Sequence, residues 1–469
     1  MKSLSSNIVL VILLNLLVKP AWLLVEMVLQ DEIGHDAWGS YGALLSFAFL
    51  FVTLADLGIN NYTTKTLAET PERLRTDFPH FFSAKVLLTL LYPLILWGLG
   101  WLIGYRGEEL EFLMLLCLIL GGMQIAEFIR ANFRAKQRFT LDSILSVLDR
   151  LLLIAVVAYL LMRDITIGQF IYARVAVVGV IIVAFYALLM GAYGWIKPRL
   201  NFKAIRKVIQ VSWGFALMTI LYSLHDKVDQ VMLERLYSKA ENGLYYGAYR
   251  WLDAFSMYLW TVLPIFFARF AFFNKEPQEQ ERLLHFGQVI TALPMIFVGA
   301  FGWFYGEQLL FLFEQSSPAE IETMRLCLQA LFLAALMNGI FAIFSTFLTS
   351  TGHVKSVNLM VLASLIPNIG LNFWLIPEYG AIAAAWSTVL SYSIMNMLYV
   401  LYIHQKLSIS VPWLQMMKLI SAAAMLFVGF WALGQTSLEW YWVSLIAGLS
   451  FTIYCYLIGL ISWKVFKAF

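Results

Sequence analysis

Long apolar runs separated by short polar joints set the pattern of the chain. A helix that crosses a bilayer needs ~20 mainly apolar residues. That ruler picks out fourteen spans. The first six are Ile8–Leu29, Trp38–Ile59, Phe81–Gly104, Phe112–Ala131, Leu141–Leu161 and Gln169–Met190. The next six are Ile209–Glu234, Leu244–Ala268, Leu284–Phe304, Thr323–Leu348, Ser356–Ile376 and Ile382–Ile403. A last pair covers Met416–Gly434 and Tyr441–Trp463. The pattern predicts an all-α integral membrane protein of about fourteen transmembrane helices.

The polar joints orient the spans, because short cytoplasmic loops are enriched in Lys and Arg. With the N-terminus inside, inward segments hold nineteen of these residues and outward segments four, Arg106, Arg163, Arg235 and Lys239. Both termini are therefore expected in the cytoplasm. The longest cationic inward segment, Lys197–Val208, alternates basic residues with Leu200, Phe202, Ile205 and Val208. That suits either a short helix on an anionic leaflet or an ordinary positive-inside loop. It divides the chain into an N-terminal six-helix lobe (1–190), a basic inter-lobe segment (191–208), a C-terminal six-helix lobe (209–403) and a final helix pair (404–469). Helix 1 carries Asn15, Lys19, Trp22 and Glu26, and helix 7 carries Ser223, Lys227, Gln230 and Glu234 at the same spacing. Gly39-x-Tyr41 and Gly243-x-Tyr245 open the following helices. Six spans per lobe make these parallel repeats, related by an axis along the membrane normal.

Composition agrees with the pattern. The chain is 61% hydrophobic and 13% charged, with mean hydropathy +0.77. Soluble domains carry roughly 25% charged residues. Net charge is only +3 and says little about partners; a nucleic-acid partner is not expected. Cys117, Cys327 and Cys455 sit in apolar runs without metal or disulfide spacing. No Walker motif, Gly-rich phosphate loop or His/Cys cluster appears, so neither a cofactor nor ATP hydrolysis is expected. Lys2 and the run from Ile8 resemble a signal peptide, but no small-x-small cleavage site follows, and the run reads as a retained first helix.

Charge inside the spans carries the chemistry. A central lysine or aspartate costs ~2.5–3.5 kcal/mol on insertion scales, so it faces a cavity or a partner. Lys19 lies about 15 Å from either end of its helix, beside the helix-breaking Pro20. Arg150, Arg174, Lys227 and Arg250 add cations in helices 5, 6, 7 and 8. Ammonium and guanidinium groups at such depth suit an anionic cargo with phosphate oxygens. Glu26, Asp56, Asp229, Glu234 and Asp253 are the acids placed to balance them or to bind a coupling ion. Each of these residues reads equally well as half of a structural ion pair. Pro264, Pro294 and Pro367 are expected to kink later helices. An acidic first outward loop, Gln30–Ala37 with Asp31, Glu32, His35 and Asp36, raises the alternative of a lipid-sugar transferase. The longest outward loop, Tyr305–Glu322, is too short to hold a donor and an acceptor, so an enzyme is not expected.

Three stretches resemble a known family. They are Trp38-Gly39-Ser40-Tyr41-Gly42 with Asp56-Leu57-Gly58-Ile59; Asn242-Gly243-Leu244-Tyr245-Tyr246 with Arg250; and Pro377-Glu378-Tyr379-Gly380 running into Ala383-Ala384-Ala385-Trp386-Ser387-Thr388. They look like polysaccharide and O-antigen flippases (the Wzx type) of the multidrug/oligosaccharidyl-lipid/polysaccharide exporter superfamily. The resemblance implies two six-helix lobes around a central cavity, alternating access, and a place in the bacterial inner membrane. It also implies an undecaprenyl-pyrophosphate-linked oligosaccharide as substrate. Membrane lipids, with a polymerase or glycosyltransferases of the same pathway, would be its partners. A proton or sodium ion is the expected coupling ion. The competing reading within the superfamily is a cation-coupled multidrug exporter.

Overall fold

The computed structural model describes Val18 and residues 20–60, 74–135, 138–194, 199, 201–273, 276–407 and 409–461. Within them the apolar runs are helices. α1 covers 20–33, and Gly34 alone separates it from α2, His35–Leu50. A 3-10 turn, Val52–Ala55, carries α2 on to Asp56. α3 is Leu74–Leu102, α4 Glu108–Ala135, α5 Phe139–Leu160 and α6 Ile167–Tyr193. α7 is Phe202–Leu236, α8 Lys239–Phe272, α9 Pro277–Tyr305 and α10 Pro318–Ser350. The run Val354–Lys406 is helical throughout except at Gly380 (φ 55°, ψ −134°). Glycine, lacking a Cβ, is the residue that adopts such a conformation without strain. The break yields α11 (354–379) and α12 (381–406). α13, Trp413–Leu433, and α14, Trp440–Leu457, complete the series. Nine described helices, with Val354–Lys406 taken as one, are long and apolar enough to cross a membrane.

Local sequence sets several boundaries. Thr166 and Gln169 form a capping box at the start of α6. Ser317 and Glu320 do the same for α10, with Pro318 at its first position. Each box satisfies two of the amide donors that a helix start leaves open. Pro264, Pro294 and Pro367 all lie inside helices, as expected, and Pro79, Pro93 and Pro377 join them.

The chain forms two compact units, Met1–Gly243 and Leu244–Phe469. In the first, α3 packs on α4, α4 on α6, and α2 on both α7 and α4. In the second, α10 packs on α9 and on the Val354–Lys406 run, and the final helix pair docks on α9. That docking follows from two stripes. Leu419, Ala422, Leu426 and Phe430 recur on one face of α13, and Val443, Ala447, Phe451 and Cys455 on one face of α14. All eight are buried, and Phe430 meets Phe297, Phe304 and Tyr305 at ring-contact distance. The three cysteines are buried and not disulfide-bonded, packed as small apolar side chains.

Candidate functional site

The first unit holds most of the predicted site residues. Arg174 enters from α6, half-buried, about 10 Å along the helix from its start. Its guanidinium donates to the hydroxyl of Tyr41 and stands 5.8 Å from the Phe170 ring centroid. Trp38, Tyr41 and Phe170, all buried, form one aromatic cluster, on which Trp22 of α1 stacks. Arg174 has no carboxylate partner among the described residues. The same holds for Arg150, half-buried on α5. A hydroxyl accepts a hydrogen bond without cancelling charge, so Arg174 keeps its full positive charge for an anion.

The repeat residues of α7, extended by Thr219 and Asp226 into a polar stripe, are buried along most of its length. Ser223, Gln230 and Glu234 are buried, Lys227 and Asp226 half-buried, and only Thr219 is exposed. The hydroxyl of Ser46 on α2 donates to the Gln230 amide oxygen. Asp229 is buried and accepts from the Gln230 N–H at 2.9 Å. Glu26 is buried on α1. Lys19 lies outside the described residues. In the second unit Arg250 and Asp253 pair at 3.6 Å, and the Arg250 guanidinium sits 4.2 Å over the Tyr246 ring. After Pro367, polar side chains form a neutral seam between α11 and α12. There Ser387 bonds Asn372, and Ser391 donates to the Ser364 carbonyl at 3.1 Å.

Two acids have partners the pattern did not foresee. The sequence matched Glu234 to Lys227, seven residues away and so about 10 Å along the axis. The partner found is its neighbour Arg235, which bonds both carboxylate oxygens. Arg235 also reaches Glu109 at 3.4 Å, and Lys239 holds the same Glu109 at 2.7 Å. Tyr105 donates to Glu234 at 3.4 Å, with the Arg235 guanidinium 4.1 Å over its ring. Burial holds the Tyr105 phenol well above its usual pKa, so it is a neutral donor here. Asp56, the other case, bonds Lys85 of α3 at 2.5 Å and accepts from the Gly58 and Asn60 N–H groups. Lys85 is fully buried, and the sequence reading passed over it. Its signal was present, since it is the one charged residue in the Phe81–Gly104 span. Arg130, which pairs with Asp142 at 2.9 Å and Glu127 at 3.0 Å, was legible in the same way.

The two glycines matched by the internal repeat meet face to face. A Cβ on Gly39 would stand 1.9 Å from the Lys239 carbonyl oxygen, and one on Gly243 2.1 Å from that of His35. The start of α2 and the first turn of α8 are thus in backbone contact. Two buried amides clasp the crossing reciprocally. Asn242 donates to the Gly39 carbonyl at 2.7 Å, and Gln30 donates to the Gly243 carbonyl at 2.8 Å. The same Gln30 lies 3.0 Å from the His35 ring nitrogen, so the acidic first loop is a tight hydrogen-bonded corner between α1 and α2.

Comparison with known proteins agrees with the architecture. The profile of a family described as polysaccharide biosynthesis protein matches residues 4–268, and that of MatE matches residues 265–374. No curated protein matches at the sequence level. Among solved structures, the lipid II flippase MurJ in an inward closed conformation superposes with TM-score 0.75 over 96% of this chain and 98% of its own, at 13% identity. An outward-facing multidrug resistance MATE family transporter of the MOP superfamily gives TM-score 0.61, over 89% of this chain and 95% of its own, at 13% identity. The inward-facing form of such a transporter gives 0.60, over 86% and 95%, at 12% identity. At these identities the likeness is one of fold.

Proposed function

Since the chain belongs to the polysaccharide biosynthesis protein family, we propose that it flips an undecaprenyl-pyrophosphate-linked oligosaccharide across the bacterial inner membrane by alternating access. The observation that carries this reading is Arg174. It is a half-buried guanidinium inside a spanning helix, steered by Tyr41 and aromatic rings and free of any carboxylate among the described residues. Charge at that depth is retained where it has work to do, and a pyrophosphate supplies the oxygens that a guanidinium fork takes in pairs. Arg150, Lys227 and Lys19, the last outside the described residues, are assigned to the same cargo. Arg250, already tied to Asp253, is assigned to substrate acids at a later stage of the cycle. In this proposal both termini are cytoplasmic, the two lobes and the final helix pair are those drawn from the sequence, and a polymerase or glycosyltransferases act beside it. A proton or sodium ion would couple through Glu26 or Asp229, both buried.

Deleting the gene and locating the glycan intermediate tests the proposal. The expected result is lipid-linked oligosaccharide held in the inner leaflet, released by the wild-type gene. The match of residues 265–374 to MatE favours a second reading, a cation-coupled drug exporter. Unchanged surface glycan with new drug sensitivity would decide for that reading.

A further inference from the structure

A second cationic feature lies in the second unit, and none of the site residues described above lines it. The chain leaves α12, turns through Ser410 and Pro412, and enters α13 against the start of α9 and the end of α14. Three hydrogen bonds fix that corner. The Ser410 N–H donates to Glu281 at 2.7 Å, and the Gln415 side chain donates to the His285 carbonyl and to Gln288, both at 2.8 Å. The corner encloses a cavity of about 420 Å³, lined by His285, Ser410, Trp413, Gln415, Lys418 and Gly459 among others. Its size is within the range of small-molecule sites.

Lys418 is the cation of this cavity. It sits five residues into α13, about 7.5 Å from the helix start. It is half-buried and has no acidic partner among the described residues. Its ammonium is 3.7 Å from where a Cβ would stand on Gly459, whose φ is +73°. The bare glycine therefore leaves open the space that the ammonium faces. The mouth of the cavity carries exposed Trp413 and Leu414, and Met417 is exposed beside them. The ends of α8 and α12 carry Arg269 and Lys406, and α9 and α11 carry Arg282 and Lys355 near their starts. Basic pockets between spanning helices at the cationic end of a membrane protein suit phosphate-bearing head groups.

We propose that this cavity binds a phosphate group, held by Lys418 with Ser410 and the His285 imidazole as further donors. The exposed apolar mouth assigns the phosphate to an anionic phospholipid, whose acyl chains would run along Leu414 and Met417. Two measurements on the purified full-length protein test this. In native mass spectrometry, phosphatidylglycerol should remain bound to the wild type and to K418R and fall about fivefold in K418Q; phosphatidylcholine should show no such dependence. In the unmutated protein, phosphatidylglycerol should protect Lys418 from acylation by an amine-reactive acetate ester, read by peptide mass. Equal retention by K418Q, or a Lys418 acylated alike in both lipids, overturns the site. Protection by inorganic phosphate without protection by lipid keeps the phosphate site and overturns the lipid as its source.

Discussion

At the scale of single residues the buried charges divide into two groups with different expected behaviour. Arg174 is held by a neutral hydroxyl, so R174A should assemble normally and lose most transport. R174K should recover only part of it, because an ammonium cannot offer two parallel donors. Complementation of surface glycan in a deletion strain, beside protein abundance in the membrane, checks both. Lys85 is held by a carboxylate, so its removal acts on stability instead. K85M strands Asp56, and breaking a pair of this kind is worth ~3–5 kcal/mol. D56N/K85M removes both charges while leaving one oxygen, enough to accept from Gly58 or from Asn60 but not from both, and it should melt above K85M in a detergent thermal-shift assay. Equal melting of the two variants would show that the pair is not what holds the 3-10 turn. The contrast also explains what the sequence could not tell. A charge within a span is visible in one dimension, whereas its partner depends on which helix lies beside it. Thus Asp56 was legible as a buried acid, but not as the partner of Lys85.

Elements were the most legible scale, for a physical reason. Span length is set by the bilayer and the breaks by Gly, Pro and charge, all of which are local. The Gly380 break divides Val354–Lys406 where Pro377-Glu378-Tyr379-Gly380 predicted a joint. How the final pair docks was not legible, because its apolar stripes are hidden in helices that are apolar all round. Phe430 is the centre of that docking, fully buried among three aromatic rings. F430A should lower the melting temperature strongly, since deleting a buried Phe side chain is worth ~3–5 kcal/mol, while F430L should lose much less. A melting temperature unchanged in F430A would mean that α13 and α14 dock without this contact. At the start of α2, G39A is expected to be severe although it adds a single methyl, because the atom it meets is a backbone oxygen that cannot rotate away. The glycan complementation assay reads that loss, with N242L as the milder neighbour.

On the scale of the whole first unit, the paired glycines link the internal repeat to how the start of α8 is held on α2. Most helix crossings are built from interlocked side chains, and separating them means unpacking and repacking many rotamers. At Gly39 and Gly243 there are no side chains to interlock. Parting the two helix starts breaks the amide clasps of Gln30 and Asn242, each worth about 1 kcal/mol in a membrane interior. It leaves smooth surfaces behind. A contact of this build would work like a magnetic catch rather than a zip, strong only when the backbones touch and needing no search for register if they part.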